Sequence, residues 1–275
     1  MPTAVPRVLR TNSSSIPWQG VGIGAGAGLL SGLFGIGGGI IIVPALLTML
    51  SMERRLAHGT SLAATVPVAL ASFVTYSVGG NVDWPVAACL AAGAIVGAIV
   101  GTHLLQIIPK TPLTIIFIVV ILLTAVRLIA SGEALGREGL TVPGVLALIA
   151  IGFVTGTLSG LLGIGGGIVM VPAMVVLFSM PPVLAKGTSV AVIVPSAIVG
   201  TLRNRANDNV NLRVGAAIGV SGVVSAVIGS LIAGSLSASF SNAMFALLLV
   251  IVAIIQARSL RNPTAPPDSV PMVVE

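Results

Sequence analysis

Two apolar segments of this chain are interrupted at their centres by nearly the same run of glycines. GLFGIGGGIIIVPA runs from Gly32 to Ala45, and GLLGIGGGIVMVPA follows in the other half of the chain, from Gly160 to Ala173. Setting Gly32 against Gly160 also aligns the surroundings without a gap: well over half of the positions from Gly28 to Pro67 are identical to their counterparts from Gly156 to Pro195. Self-similarity of this extent marks an internal duplication. A glycine run inside a helix is costly, because glycine loses the most conformational freedom on ordering. Within a bilayer the interrupted backbone must also be satisfied by protein or by water. A chain that keeps such a break twice, in register, is expected to fold as two similar halves, each with one apolar segment that unwinds or turns back inside the membrane.

Composition places that expectation in a bilayer. Hydrophobic residues make up 56% of the 275, charged residues only 7%, and the mean hydropathy is +1.13, which excludes an ordinary soluble domain. Apolar runs able to cross a membrane, about 20 residues each, fall at 17–50, 57–79, 84–108 and 113–129, and again at 145–178, 184–202, 212–236 and 242–257. The fold class is therefore all-α and polytopic, with two repeats, each holding one glycine-broken segment, re-entrant or split into two short helices, and three transmembrane helices. The expected division is an N-terminal tail (1–15), a first membrane repeat (16–130), a connector (131–143), a second repeat (144–257) and a proline-rich polar tail (258–275) expected to be disordered.

The charges supply orientation. A net charge of +6 would point a soluble chain toward nucleic acid. Here the cations sit beside apolar runs, the pattern that marks cytoplasmic loops, and no nucleic-acid partner is expected. Arg54, Arg55 and Lys110 occupy the first and third loops of the first half, whereas Arg203, Arg205 and Arg213 occupy the second loop of the second half. This reversal implies that the halves sit upside down relative to each other, with both termini in the cytoplasm of a cell whose plasma membrane holds the protein. Inverted repeats with paired, glycine-interrupted segments are the architecture of secondary transporters, whose broken helices meet near the midplane at the substrate site.

Candidate site residues follow. Gly35, Gly37, Gly38 and Gly39, with Gly163, Gly165, Gly166 and Gly167, would present backbone N–H groups at the start of a half-helix, where free donors and the helix dipole favour an anion. Ser31 and Ser159 flank them. Close helix packing is the alternative use of such glycines. A dinucleotide loop is excluded, because Ile40 and Ile168 stand where its third glycine is needed. The second duplicated motif, AHGTSLA (57–63) and AKGTSVA (185–191), places Thr60, Ser61, Thr188 and Ser189 at the start of the next run, where helix capping is the alternative role. His58 and Lys186 precede the two copies. Lys186 is a candidate to hold the anion, or a side chain that snorkels to water. His58 is a candidate for proton coupling, since imidazole changes charge near neutral pH. His103 reads as interfacial, and Arg203 and Arg205 as topology markers that could also draw anions to the mouth. A single cysteine, Cys89, allows no intramolecular disulfide and no cysteine metal cluster. No metal, cofactor or catalytic residue is expected, because the apolar runs contain no histidine–carboxylate pair.

The glycine motif with its trailing Val-Pro, and the Gly-Thr-Ser motif, both present twice, resemble the TauE/SafE family of membrane transporters, associated with export of sulfite and organosulfonates. The resemblance extends from about Ile16 to Ala257. It implies a multi-pass carrier of a small sulfur-containing anion, coupled to protons, with the two glycine breaks and Thr60, Ser61, Thr188 and Ser189 lining a central site. The difference between His58 and Lys186 makes that site asymmetric. The rival assignments are import of a sulfur oxyanion or another small organic anion, and a non-transporting membrane scaffold.

Overall fold

The structure is a computed structural model that describes residues 16–104, 139–163 and 165–261, together with 115, 118, 119, 122, 125 and 126 of the fourth run. The readings made for the tails 1–15 and 262–275, for Lys110 and for most of the connector lie outside the described residues. Ten helices carry the described chain: α1 (Ile16–Phe34), α2 (Gly39–Thr48), α3 (Arg54–Val78), α4 (Trp84–Leu104), α5 (Val142–Leu162), α6 (Gly167–Phe178), α7 (Pro182–Ala206), α8 (Leu212–Ser221), α9 (Val223–Ser235) and α10 (Ala238–Arg261). Five of them are long and apolar enough to cross a membrane, and α8 with α9 makes a sixth span if the bent pair is counted as one.

Each long first run is divided as the glycines imply. A helix of 19 or 21 residues, α1 or α5, is followed by one of 10 or 12, α2 or α6. At 1.5 Å per residue the short helices reach only about 15–18 Å, roughly half of a bilayer's hydrocarbon layer. The connector ends earlier than expected: Thr141 caps α5 by accepting from the Gly144 N–H at 3.3 Å, and Pro143 stands in the first turn, where its missing N–H costs nothing. At the other end α10 continues to Arg261 rather than stopping at residue 257.

Two further departures are informative. The third run of the second half is not one straight helix but bends by 44° between α8 and α9, at Gly222. A Ser-Gly step is a common origin of such kinks, and here Gly222 lies against α1, with the Gly24 carbonyl 2.6 Å from where its Cβ would be. The equivalent position in the first half is Ala94, within the unbroken α4. The Gly-Thr-Ser motifs, expected in the first turn, lie about a turn and a half inside their helices, because α3 begins at Arg54 and α7 at Pro182. Helix capping is therefore not their role.

The halves pack reciprocally. Gly93, Gly97 and Gly101 of α4 and Gly152 and Gly156 of α5 bring those two backbones together so closely that a Cβ at any of them would lie within 2.2 Å of a carbonyl oxygen of the other helix. Gly24, Gly28 and Gly32 of α1 meet α8 and α9 in the same manner. Small residues at such crossings let membrane helices gain dispersion contacts without a solvent-driven hydrophobic force.

Candidate functional site

The two breaks lie against each other. Gly35, Gly37 and Gly38 have φ of 69°, 79° and 77°, and Gly163, Gly165 and Gly166 have φ of 66°, 90° and 75°, the left-handed region that costs an L-residue about 1–2 kcal/mol. A Cβ at Gly167 would meet the Gly35 carbonyl at 2.4 Å, and one at Gly165 the Ile36 carbonyl at 3.0 Å. Gly38 and Gly166 are the N-caps of α2 and α6, and neither cap receives a side-chain hydrogen bond. All of these glycines are buried, so in this conformation the breaks close over one another.

The Gly-Thr-Ser motifs hold them there, each across the divide between the halves. Ser61 donates to the Gly163 carbonyl at 2.9 Å, and Ser189 donates to the Gly35 carbonyl at 2.9 Å. Thr60 accepts from the Asn211 N–H at 2.9 Å, and Thr188 from the Asp83 N–H at 3.0 Å. A Cβ at Gly59 would strike the Asn209 carbonyl at 2.0 Å, and one at Gly187 the Asn81 carbonyl at 1.9 Å. Every contact has its counterpart at the equivalent positions of the repeat with the halves exchanged, as a two-fold relation between them produces. Of the hydroxyls that the sequence nominates for a ligand, Ser61 and Ser189 are thus brought to the breaks and Thr60 and Thr188 to the segments at Asn211 and Asp83, and all four are engaged in joining the halves.

The residues that precede the motifs differ. His58 lies against Gly163, and its Nδ1 donates to the Leu162 carbonyl at 2.7 Å, which requires the proton on Nδ1. Lys186 lies against Gly35, is 1% exposed, and therefore does not snorkel to water. Its ammonium donates to the Ser241 hydroxyl at 2.6 Å and stands 5.7 Å from the centre of the Phe34 ring, which itself stacks on Phe245. Among the described residues no carboxylate lies within ion-pair distance of it. A buried ammonium supported, among the described residues, by a hydroxyl and an aromatic face is incompletely compensated by them, and an anion is the natural complement.

Ser31 is fully buried with no hydrogen-bond partner, and Ser159 sits with its Cβ 3.5 Å from the Cβ position of Gly166. Ser241 and Tyr76, whose hydroxyl donates to the Gly32 carbonyl at 2.5 Å, lie outside both motifs and were not legible as site residues; Phe34 lies within the first glycine motif, but Leu162 holds its place in the second copy and nothing in the sequence marked it as facing a cation. Away from the breaks, an open cavity of ≈ 440 Å³ between the ends of α4 and α7 is lined by Thr102, His103, Arg203 and Asn207 with apolar neighbours. Both His103 and Arg203 are exposed.

Glycine breaks that cross between two duplicated halves, in a bundle with five or six apolar spans, define a membrane transporter. The chain belongs to the TauE/SafE sulfite exporter family, whose model matches residues 3–128 and 148–274. It is 30% identical over 213 residues to the probable membrane transporter protein YunE of Bacillus subtilis, covering 69% of this chain and 78% of that one. A probable membrane transporter protein of Xylella fastidiosa is 30% identical over 196 residues, covering 70% and 75%. The probable membrane transporter protein MJ0441 of Methanocaldococcus jannaschii is 29% identical over 189 residues, covering 66% and 69%. No solved structure matches the chain.

Proposed function

We propose that this protein is a secondary transporter of the plasma membrane that exports a small sulfur-containing anion, sulfite or an organosulfonate, coupled to protons and without enzymatic activity. The observation that carries the reading is Lys186: a fully buried ammonium beside the first glycine break, with a hydroxyl and an aromatic ring but no described carboxylate for partners. The uncapped N-termini of α2 and α6 add backbone donors of the right sign for an oxyanion. Binding of this kind is weak enough to release its cargo.

The reciprocal contacts between the halves fit two repeats of opposite orientation, and the reversal of loop charge supports the same arrangement. Rocking of one repeat against the other would part the breaks alternately toward each side. His58 is the residue proposed to couple the proton, since its imidazole meets the second break at Leu162 through Nδ1–H and leaves Nε2 as the nitrogen that can gain or lose a proton. Both termini are proposed to be cytoplasmic.

The test is counterflow of radiolabelled sulfite in proteoliposomes, with sulfoacetate, thiosulfate, sulfate and acetate as competitors and a pH gradient imposed in either direction. Protein-dependent uptake that organosulfonates block and the gradient drives supports the proposal. Uptake driven only inward, or blocked best by acetate, replaces the substrate or direction. No flux of any of these anions removes the transport assignment and leaves the scaffold.

A further inference from the structure

Directly over the crossing of the two breaks, outside both duplicated motifs, two-fold-related positions carry different chemistry. Thr65 of α3 and Ile193 of α7 hold the same place in the two copies of the repeat. They meet over one residue, Gly37: the Thr65 methyl lies 3.0 Å and an Ile193 methyl 3.1 Å from the Cβ position there. Both also touch the second break: the Thr65 methyl lies 3.7 Å from the Cβ position of Gly165, and the Ile193 Cδ1 3.0 Å from that of Gly167. Thr65 is 0% exposed, and its hydroxyl has no hydrogen-bond partner among the described residues.

Ser31, Ser72 and Thr201 are the other described buried hydroxyls without such a partner. Buried hydroxyls are nearly always bonded, and in a helix the default acceptor is the carbonyl one turn back. Thr75, Thr155, Thr188 and Ser196 all use it here. Thr65 does not, although Ser61, one turn before it, is engaged with the opposite break. Thr65 and Ile193 thus lie over both breaks and only Thr65 carries a hydroxyl; the first break also has Ser31, unpartnered among the described residues, and, at Gly35, the backbone of Lys186, whereas the second is met by a histidine already bonded to Leu162.

We infer that the anion is held at the first break rather than shared between the two, on the Lys186 side, with the Thr65 hydroxyl as a direct donor to it and Ile193 as the apolar counterpart that offers no donor from α7. This rests on the anion-carrier reading above. The breaks close on each other in this conformation, so the site opens when they part. The hydroxyl that lacks a partner while they are closed then gains one from the cargo, which makes Thr65 a group whose bonding differs between states, the condition for a ligand to shift the equilibrium. The ligand class is a small oxyanion with at least two acceptor oxygens, one toward the α2 N-terminus and one toward Thr65.

The experiment is calorimetric titration of sulfite into detergent-purified wild type, Thr65→Val, Thr65→Ser and the exchange variant Thr65→Val/Ile193→Thr, with thermal unfolding of each in the absence of anion. T65V is near-isosteric and removes only the donor. It should weaken sulfite binding at least about tenfold, the usual loss for a hydrogen bond to a charged acceptor, while leaving the unliganded Tm equal to or above wild type. T65S should recover most of the affinity, and the exchange variant should stay weak. Should T65V fold poorly, Thr65→Ala carries the same expectation. Wild-type affinity in T65V overturns the inference and leaves the transporter standing. Recovery in the exchange variant overturns the one-sided site. Failure of wild type to bind sulfite or sulfoacetate removes the anion-carrier reading itself, and this inference with it.

Discussion

Ser61 donates its hydroxyl to the carbonyl of Gly163, in the other half of the chain, and Ser189 returns the same bond to Gly35. A glycine break exposes carbonyls as well as N–H groups, and a carbonyl buried in a membrane without a donor is expensive. Each half therefore supplies the hydroxyl that satisfies the break of the other, so neither half has its break satisfied alone. The breaks can part only if these two bonds stretch, exchange for water, or move with the break they hold.

Removing one of them should cost stability more than affinity. Ser61→Ala or Ser189→Ala leaves a buried carbonyl unpaired, a loss of about 1–3 kcal/mol. Both variants should unfold at a lower temperature than wild type, by similar amounts because the environments are equivalent. Thermal unfolding followed by tryptophan fluorescence checks this. Unchanged Tm together with lost sulfite binding would instead make these hydroxyls ligands of the cargo.

Adding a single methyl group where the halves touch should be more severe. In Gly59→Ala or Gly187→Ala the new Cβ would lie 2.0 or 1.9 Å from a backbone carbonyl oxygen, of Asn209 or Asn81, which no side-chain rotation can clear. Overpacking of this kind costs about 1–3 kcal/mol or more. The matched control is Gly22→Ala in α1, where nothing lies within 4 Å and helix propensity favours alanine. The yield of monodisperse protein on size exclusion should fall sharply for the first two variants and hold or rise for the third.

These positions also show what the sequence could and could not reveal. The duplication, the breaks and the Gly-Thr-Ser motifs were legible because identity at a fixed offset is a one-dimensional signal. Their use was not, since the Ser61–Gly163 and Ser189–Gly35 bonds join positions far apart in the chain, and a hydroxyl in text looks the same whether it binds a ligand or a carbonyl. The bend at Gly222 escaped because its half-one counterpart, Ala94, sits in a straight helix, so the repeat itself argued against it. The Thr65–Ile193 difference was visible in the alignment of the halves, yet nothing distinguished it from other mismatches until Gly37 was found between them.

Opposite orientation of the halves has a direct chemical test. Val78 ends α3 and Asn207 follows α7; both are exposed, and they occupy nearly corresponding places in the two repeats. With Cys89 replaced by serine, single cysteines at 78 and 207 should react with a membrane-impermeant maleimide from opposite sides of sealed vesicles. Labelling of both from one side would require two parallel repeats and remove the inverted arrangement.

Lys186 offers the sharpest separation of function from stability. Burying an ammonium with, among the described residues, only Ser241 and Phe34 for company is costly, and replacing buried charges by apolar groups of similar size is often neutral or stabilising. Lys186→Met keeps most of the volume and removes the charge. If the ammonium serves an anion, this variant should lose protein-dependent sulfite counterflow to near background while its Tm in the absence of anion stays level or rises. A structural lysine predicts the reverse, because Ser241 would lose its partner and the stacked Phe34–Phe245 pair its cation, with transport falling only in proportion to folded protein. Lys186→Arg divides the cases further. It preserves charge but not the compact ammonium, so a site shaped around Lys186 should bind sulfite weakly rather than not at all, whereas retention of wild-type affinity would mean that the charge acts from a distance and not by contact.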